Sequence, residues 1–440
     1  QDQAGNNIIS ESSNTITIGK TNDTINIVGT LQNNGSAIPG DISSVVAGTG
    51  LSGGGTSGDV TLNVEAAQSG VTSLGTLTGL TVNGNVSIDG GTIKLDGNYP
   101  TGTENVALGN TALDSGSLSG AYNTAIGSAS MTANTSGERN VAVGRTSLEA
   151  NLGGSFNVAS GYGALRLNTS GGSNTAIGYN AMLANQTGEG NTAVGEGALD
   201  ANNPGDNNVA IGKLSLSGNT TADNNTAVGT CALKTNTTGT ENVAVGLCAL
   251  TANTTASNNV AVGRKALATN TTGTHNVALG FNSQFSTTEG LCNISVGGGS
   301  LQSNTTGCYN IGIGRFANCA NTTSNNNVAV GHESLKVNTA ANNTAVGYNA
   351  LTANTSGTEN TAVGLCSLVS NQTGNSNVSV GQNSLCANTA SNNTAVGTVS
   401  LCANTSGANN TAVGRSSLRA NTTASNNTAV GCGAGTANTT

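Results

Sequence analysis

Residues 343–381 read NTAVGYNALTANTSGTENTAVGLCSLVSNQTGNSNVSVG, and one pattern occurs in them three times at intervals of 17 residues. Each copy contains a run of the form Asn-(Thr/Val)-(Ala/Ser)-Val-Gly, whose last residue we call the marker glycine. A fixed period of this length predicts a repeat architecture. The chain has twenty marker glycines, with one interval of 18 residues, two of 16 and all others of 17: Gly109, Gly127, Gly144, Gly161, Gly178, Gly195, Gly212, Gly229, Gly246, Gly263, Gly280, Gly297, Gly314, Gly331, Gly347, Gly364, Gly381, Gly397, Gly414 and Gly431.

The positions before the marker glycine are restricted in residue type. The fourth residue before it is Asn in every copy. The second residue before it is Ala, or the equally small Ser295, Gly312 or Ser379. The residue directly before it is Val, Ile or Leu, except Ser160. This alternation of apolar and polar types over a short run is typical of a β-strand.

The positions after the marker glycine are restricted as well. The third residue after it is Ala or Ser, and the fourth is Leu or Met except at Gln284, Asn318 and Gly435. The seventh is Asn except at Gly116 and Thr287. A unit of this length is too short for a helical hairpin, whose repeat is about 34 residues. We therefore predict an all-β fold, a parallel β-solenoid (β-roll) of about twenty coils.

Stacked coils pair as parallel strands about 4.8 Å apart, so twenty coils give a rod about 95 Å long. We expect the Val, Ile or Leu before the marker glycine, and the Leu or Met after it, to fill the interior. The marker glycine suits a bend with positive φ or little space. The Asn column can form a side-chain ladder. The always-small columns suggest a surface where another chain packs closely.

Composition excludes several functional classes. Only 8% of the 440 residues are charged, and the net charge of −8 is spread without a basic run. Nucleic-acid binding depends on clustered Lys and Arg, so we expect no nucleic-acid partner. The sequence has no apolar run of 18 residues, so we expect no membrane insertion.

The columns N-[TV]-A-[VI]-G-x-x-[AS]-L resemble the head repeat of trimeric autotransporter adhesins and, more closely, the repeat arrays of bacteriophage tail fibres. The resemblance covers residues 105–440. It implies a β-roll, a homotrimer, and a virion-surface or extracellular location. Residues 1–98 include Gly-rich alternating stretches at 15–29, 45–64 and 73–97, which look like phage fibre segments. We predict a β-rich fibre and trimerisation segment at 1–98 and the solenoid shaft at 99–440.

The last copy stops without a cap, so we expect the natural chain or its assembly to continue beyond Thr440.

Catalytic machinery is not evident in the sequence. His275 and His332 are the only histidines and fall on different columns of the repeat. The few acidic residues are not expected to stack as a carboxylate pair, which glycosidases require. We therefore predict no enzyme activity, no catalytic or metal-binding residues and no cofactor.

The nine cysteines all follow residue 230. Some share a column on adjacent coils, and others lie one column apart, so disulfides can link coils or chains of an extracellular protein. The alternative is free thiols that act as small apolar fillers. The candidates form three pairs: Cys231 with Cys248, Cys386 with Cys402, and Cys292 with Cys308.

The residue directly after the marker glycine varies widely in type and should therefore face solvent. This column can form a contact stripe for a host glycan or protein, or it can reflect ordinary surface variation. Its candidate residues are Arg145, Tyr162, Tyr179, Phe281, Arg315 and Tyr348.

These features favour a structural fibre or adhesin. The first hypothesis is a phage tail fibre or virion appendage that serves as a rigid spacer for host attachment. The second is a bacterial surface adhesin or extracellular matrix filament. The third is a fibre-borne enzyme that degrades glycans.

Overall fold

The structure is a computed structural model, which describes residues 9–12, 15–18, 45–46, 51–55, 62–64 and 104–438. The chain divides into two compact units, Gln1–Ile93 and Lys94–Thr440. No described residue forms a helix.

The first unit contains two antiparallel sheets. β1 pairs with β2, and β4 lies between β3 and β5. The strand predicted at the start of residues 15–29 is present as β2, but its partner is the upstream β1. Residues 19–29 and 73–97 lie outside the described residues. The strands are β1 (Ile9–Ser12), β2 (Thr15–Ile18), β3 (Val45–Val46), β4 (Leu51–Gly55) and β5 (Leu62–Val64).

The second unit contains one parallel ladder of three-residue strands, one per coil, numbered here as coils 1–20 in the order of their marker glycines. The strands are β6 (Val106–Leu108), β7 (Thr124–Ile126), β8 (Val141–Val143), β9 (Val158–Ser160), β10 (Thr175–Ile177), β11 (Thr192–Val194), β12 (Val209–Ile211), β13 (Thr226–Val228), β14 (Val243–Val245), β15 (Val260–Val262), β16 (Val277–Leu279), β17 (Ile294–Val296), β18 (Ile311–Ile313), β19 (Val328–Val330), β20 (Thr344–Val346), β21 (Thr361–Val363), β22 (Val378–Val380), β23 (Thr394–Val396), β24 (Thr411–Val413) and β25 (Thr428–Val430).

Neighbouring strands pair in register, so that Ala244 lies opposite Ala261 and Val245 opposite Val262. Among the described residues β6 pairs only with β7, and β25 only with β24, so the ladder is a linear stack and not a closed ring. The predicted parallel β-solenoid with 17-residue coils is therefore confirmed.

The interior of the coil differs from the prediction in one respect. The Leu four residues after the marker glycine is buried as expected, as at Leu250 and Leu267. The residue directly before the glycine points outward, and Val262 is 38% exposed. Side chains alternate across a strand, and the middle residue, such as Ala261, is fully buried. The expectation that the Val, Ile or Leu before the glycine fills the interior is therefore wrong.

The always-small columns also lie inside the coil. Ala244 in the strand and Ala249 three residues after the marker glycine are both fully buried against the Leu column. Their small size fits the narrow space inside a coil of this length. The inference that these columns mark a face that packs on another chain is therefore wrong.

The marker glycine combines positive φ with a close backbone approach. At Gly229 φ is +130°, and a Cβ would lie 2.7 Å from the carbonyl oxygen of Gly246 on the next coil. Both expectations for this residue are confirmed. Non-glycine residues also adopt positive φ at three positions of a coil, as at Cys248, Leu250 and Asn258. Such conformations cost about 1–3 kcal/mol each and persist only where the surrounding structure enforces them.

Two buried asparagine ladders connect the coils. In the first, the backbone N–H and side-chain Nδ2 of Asn242 donate to Asn225 Oδ1 at 3.0 and 3.2 Å. The backbone part of this contact recurs for neighbouring Asn residues from coil 1 to coil 20, which confirms the predicted ladder. In the second, Asn253 Nδ2 donates to Asn236 Oδ1 at 2.7 Å. Both ladders satisfy polar groups that would otherwise be buried without partners.

Candidate contact surfaces

The outward side chains of β6–β25 form a continuous surface, which we call the strand face. It consists of the first and third residue of each strand, and these are Thr, Val, Ile or Leu with one Ser. None of the side chains is charged, and none is buried in the chain. Ile177 and Ile294, for example, are 42% and 40% exposed. Extended apolar surfaces of this kind mark interaction sites in soluble proteins.

The predicted contact stripe lies beside the strand face, because each of its residues directly follows a marker glycine. All six predicted residues are exposed: Arg145, Tyr162, Tyr179, Phe281, Arg315 and Tyr348. The first three lie on the consecutive coils 3, 4 and 5. The last three lie on coils 11, 13 and 15 and do not adjoin one another.

Arg145, Tyr162 and Tyr179 form one continuous stack. The guanidinium of Arg145 lies 5.6 Å from the ring centroid of Tyr162, and its Nη1 is 3.4 Å from the Tyr162 hydroxyl. The rings of Tyr162 and Tyr179 are stacked with centroids 5.5 Å apart and an interplanar angle of 12°. A cation–π contact at an exposed site contributes about 0.5–1 kcal/mol. The side chains of this segment therefore stabilise the coil stack themselves.

The other stripe residues also have partners. The guanidinium of Arg264 lies 5.2 Å from the Phe281 ring centroid, and the His332 and Tyr348 rings stack at 5.5 Å. Arg315 contacts the ring of Phe316, which directly follows it. Rings that stack along the rod cover one another's faces, so they present edges and hydroxyl groups to a partner.

A second aromatic ladder was not predicted from the sequence. The guanidinium of Arg139 lies between the rings of Tyr122 and Phe156, at 5.1 and 5.6 Å from their centroids. Tyr122 and Phe156 are 49% and 57% exposed. The 17-residue spacing of these three residues is the signal that could have revealed the ladder.

Acidic residues do stack, contrary to the expectation from the sequence. Glu189, Asp206 and Asp223 occupy one column on consecutive coils. Asp206 Oδ1 accepts the backbone N–H of Glu189, and Asp223 Oδ1 accepts that of Asp206, each at 2.7 Å. These two carboxylates thus join neighbouring coils, a role that Ser257 fills for Thr240 elsewhere.

The histidines remain far apart. His275 contacts Thr274, whereas His332 stacks on Tyr348. Within the part of the chain that the structure describes, no three His, Cys, Asp or Glu side chains are arranged to hold a metal ion.

The nine cysteines are free thiols in the structure. Cys386 and Cys402 lie on adjacent coils, and Cys386 Sγ donates to the carbonyl oxygen of Cys402 at 3.2 Å. Burial, reinforced by the neighbouring Cys402 thiol, raises the pKa of Cys386 to about 12. Cys308 Sγ lies 3.3 Å from the Leu291 N–H on the coil that carries Cys292. Disulfides between the predicted pairs, including Cys231 with Cys248, remain a prediction.

Among the described residues there is no helix with the length and apolar character needed to cross a membrane. Comparison with protein-family models, with curated proteins and with solved structures finds no match for this chain.

Proposed function

We propose that the chain is a structural fibre protein in which copies of the solenoid assemble into a stiff shaft for host attachment, as a phage tail fibre or related virion appendage. The observation that supports this most strongly is the strand face, an uncharged apolar surface that repeats with every coil. Water contact along such a surface is unfavourable by about 25 cal/mol per Å² of apolar area.

The occupant of the strand face must match its repeat. A partner that packs along many coils needs the same axial spacing, about 4.8 Å, at every step. A second copy of this chain has that spacing by construction. The resemblance to trimeric fibres sets the expected number of copies at three. The absence of charge on the strand face suits burial in such an assembly, because unpaired charges are costly to bury.

The contact stripe is the proposed recognition surface of the shaft. It lies beside the strand face, and its residue types vary from coil to coil, while the interior columns remain nearly uniform. Host glycans or proteins would meet the ring edges, hydroxyl groups and guanidinium groups of this column.

Native mass measurement tests the assembly. The expected particle has three times the chain mass of 42.8 kDa. The double variant Val245→Glu/Val262→Glu, which places two charges on adjacent rungs of the strand face, should give single chains with an unchanged β-type circular dichroism spectrum. Thr255→Glu, on an exposed turn of coil 9, is the matched control and should keep the trimer mass. Single chains of wild type at micromolar concentration would contradict the proposal.

Immunogold labelling tests the biological role. Label on a virion appendage is the expected result. Label on a bacterial surface or in an extracellular matrix would favour the adhesin or filament hypothesis. Release of reducing sugar from a host polysaccharide would favour the enzyme hypothesis.

A further inference from the structure

The apolar interior of the solenoid is not continuous. One cluster of buried apolar residues extends from Ala112 to Ala278, and a second begins at Ala317. Leu301 of coil 12 is fully buried but belongs to neither cluster. The interruption covers coils 11–13, in the middle of the array.

Polar side chains replace the apolar ones at this interruption. The core column, which is Leu or Met in most coils, holds Gln284 in coil 11 and Asn318 in coil 13. The strand residue that points inward, elsewhere Ala, is Ser295 in coil 12 and Gly312 in coil 13. All four positions therefore lack apolar volume that neighbouring coils supply.

The replacement groups satisfy one another only in part. Gln284 Nε2 donates to the Val277 carbonyl oxygen and to Ser295 Oγ, both at 2.9 Å. Ser283 Oγ contacts Ser300 Oγ at 3.2 Å and Ser295 Oγ more closely. Gln284 Oε1 and Asn318 Nδ2 are buried without a hydrogen-bond partner. A buried polar group without a partner destabilises the fold more than a missing hydrogen bond does.

The second asparagine ladder stops at the same place. Thr287 occupies the ladder position in coil 11 and has no side-chain N–H to donate to Asn270 Oδ1. Both Thr287 Oγ1 and Asn270 Oδ1 are therefore buried without partners. Two coils later, Asn321 Oδ1 is also unpartnered. The first ladder continues through this region, from Asn276 to Asn293 and Asn310.

We propose that coils 11–13 form a joint in the solenoid, a segment that opens locally while the coils on either side remain folded. In a repeat protein the stability of each coil depends on its own interior and on its contacts with its neighbours. At the joint the interior is polar, and one of the two ladders is broken. The strand pairing and the first ladder hold the coils together, so opening begins on the interior side and does not separate the two halves of the shaft.

Hydrogen exchange of the full-length protein, followed by mass spectrometry, tests this. Backbone amides of residues 276–327 should exchange at least about tenfold faster than the corresponding amides of coils 6–8, because opening them costs less free energy. The comparison does not depend on trimer formation, because the exchanging amides are compared within one particle.

Two reciprocal variants complete the experiment. Gln284→Leu/Thr287→Asn/Asn318→Leu restores the common residues and should slow exchange in coils 11–13 to the rate of coils 6–8. Leu216→Gln/Asn219→Thr should create a second fast-exchanging segment at coil 7. Uniform protection in the wild type would overturn the proposal, as would a restored variant that folds but exchanges as fast as the wild type. If the restored variant does not fold, the coil 7 variant decides, since unchanged exchange there would also overturn it.

Discussion

Asn225 Oδ1 accepts two hydrogen bonds from Asn242 on the next coil, one from its backbone N–H at 3.0 Å and one from its side-chain amide at 3.2 Å. The Asn242 amide also donates to the Ala256 carbonyl oxygen at 2.8 Å. One side chain thus joins its coil to the preceding one and closes the turn that follows. No other side chain offers an acceptor and two donors in so small a volume, which explains why the column contains only Asn.

The variant Asn242→Ala should therefore be strongly destabilising. It leaves the backbone N–H of Asn259 and the amide of Asn225 without their partners inside the coil. We expect a loss of about 2–5 kcal/mol, because each buried unpaired group costs about 1–3 kcal/mol. Urea denaturation followed by circular dichroism measures it. Asn258→Gly is the control, since Asn258 is exposed and glycine tolerates its positive φ. Equal losses in the two variants would contradict this account of the ladder.

The variant Gly229→Ala should also disrupt the stack. Its φ is +130°, and the new Cβ would lie 2.7 Å from the Gly246 carbonyl oxygen. Gly116, with φ +65° and no atom within 4 Å of a Cβ, is the matched control. Gly116→Ala should cost only the left-handed conformation, about 1–2 kcal/mol. Thermal unfolding should show a lower Tm for Gly229→Ala than for Gly116→Ala, and the reverse order would refute the role given to close backbone approach.

The sequence predicted the solenoid because its evidence is periodic. The Asn column and the Leu column, as at Asn242 and Leu250, are found where the repeat places them. The direction of Val262 was predicted wrongly, because the alternation in a three-residue strand leaves two phases open. Ala261 and Val262 could each be the inward residue, and only the width of the closed coil decides between them.

Other features depend on contacts that a single sequence does not display. Leu250 adopts positive φ, a conformation that Leu avoids unless stacking enforces it. The stack of Tyr122, Arg139 and Phe156 follows from the 17-residue spacing, but its column was not compared across coils. The interruption at Gln284 and Asn318 was visible only as exceptions to a column. Its effect on the interior required the structure.

The inward direction of the middle strand residue can be tested in coil 5. Ala176 is fully buried, whereas Ile177 is 42% exposed. Ala176→Val should cost about 1–3 kcal/mol through overpacking. Ile177→Val should cost less than about 0.5 kcal/mol, the usual range for a surface substitution. Both are measured by urea denaturation in the Val245→Glu/Val262→Glu background, in which we expect single chains. A larger loss for Ile177→Val would restore the original interpretation of the column.

Asp200 should make stability depend on pH. Burial raises the pKa of its carboxyl group, so the folded chain binds this proton more tightly than the unfolded chain does. Its favourable contribution is therefore complete below the unfolded pKa and is lost as the pH rises through the folded pKa. Asp200→Asn should raise the urea midpoint at pH 7 and leave it unchanged near pH 3, below the usual pKa of about 3.9. Glu289→Gln, at an exposed position, is the control and should change neither value. A stabilisation by Asp200→Asn that is equal at both pH values would exclude the charge as its cause.

Cys386 should be the least reactive of the cysteines near the end of the array. Its pKa of about 12 leaves almost no thiolate at pH 8, and thiolate is the reactive form. Iodoacetamide labelling of the reduced protein, followed by peptide mass spectrometry, should therefore modify the exposed Cys432 at least about tenfold faster than Cys386. Cys402→Ser removes the neighbouring thiol, which contributes to the raised pKa, and should speed the labelling of Cys386. The same peptides from air-oxidised protein test the disulfide, since a Cys386–Cys402 bond lowers their joint mass by two hydrogens. Rapid labelling of Cys386 in the wild type would mean that its side chain is not held in the half-buried position found here.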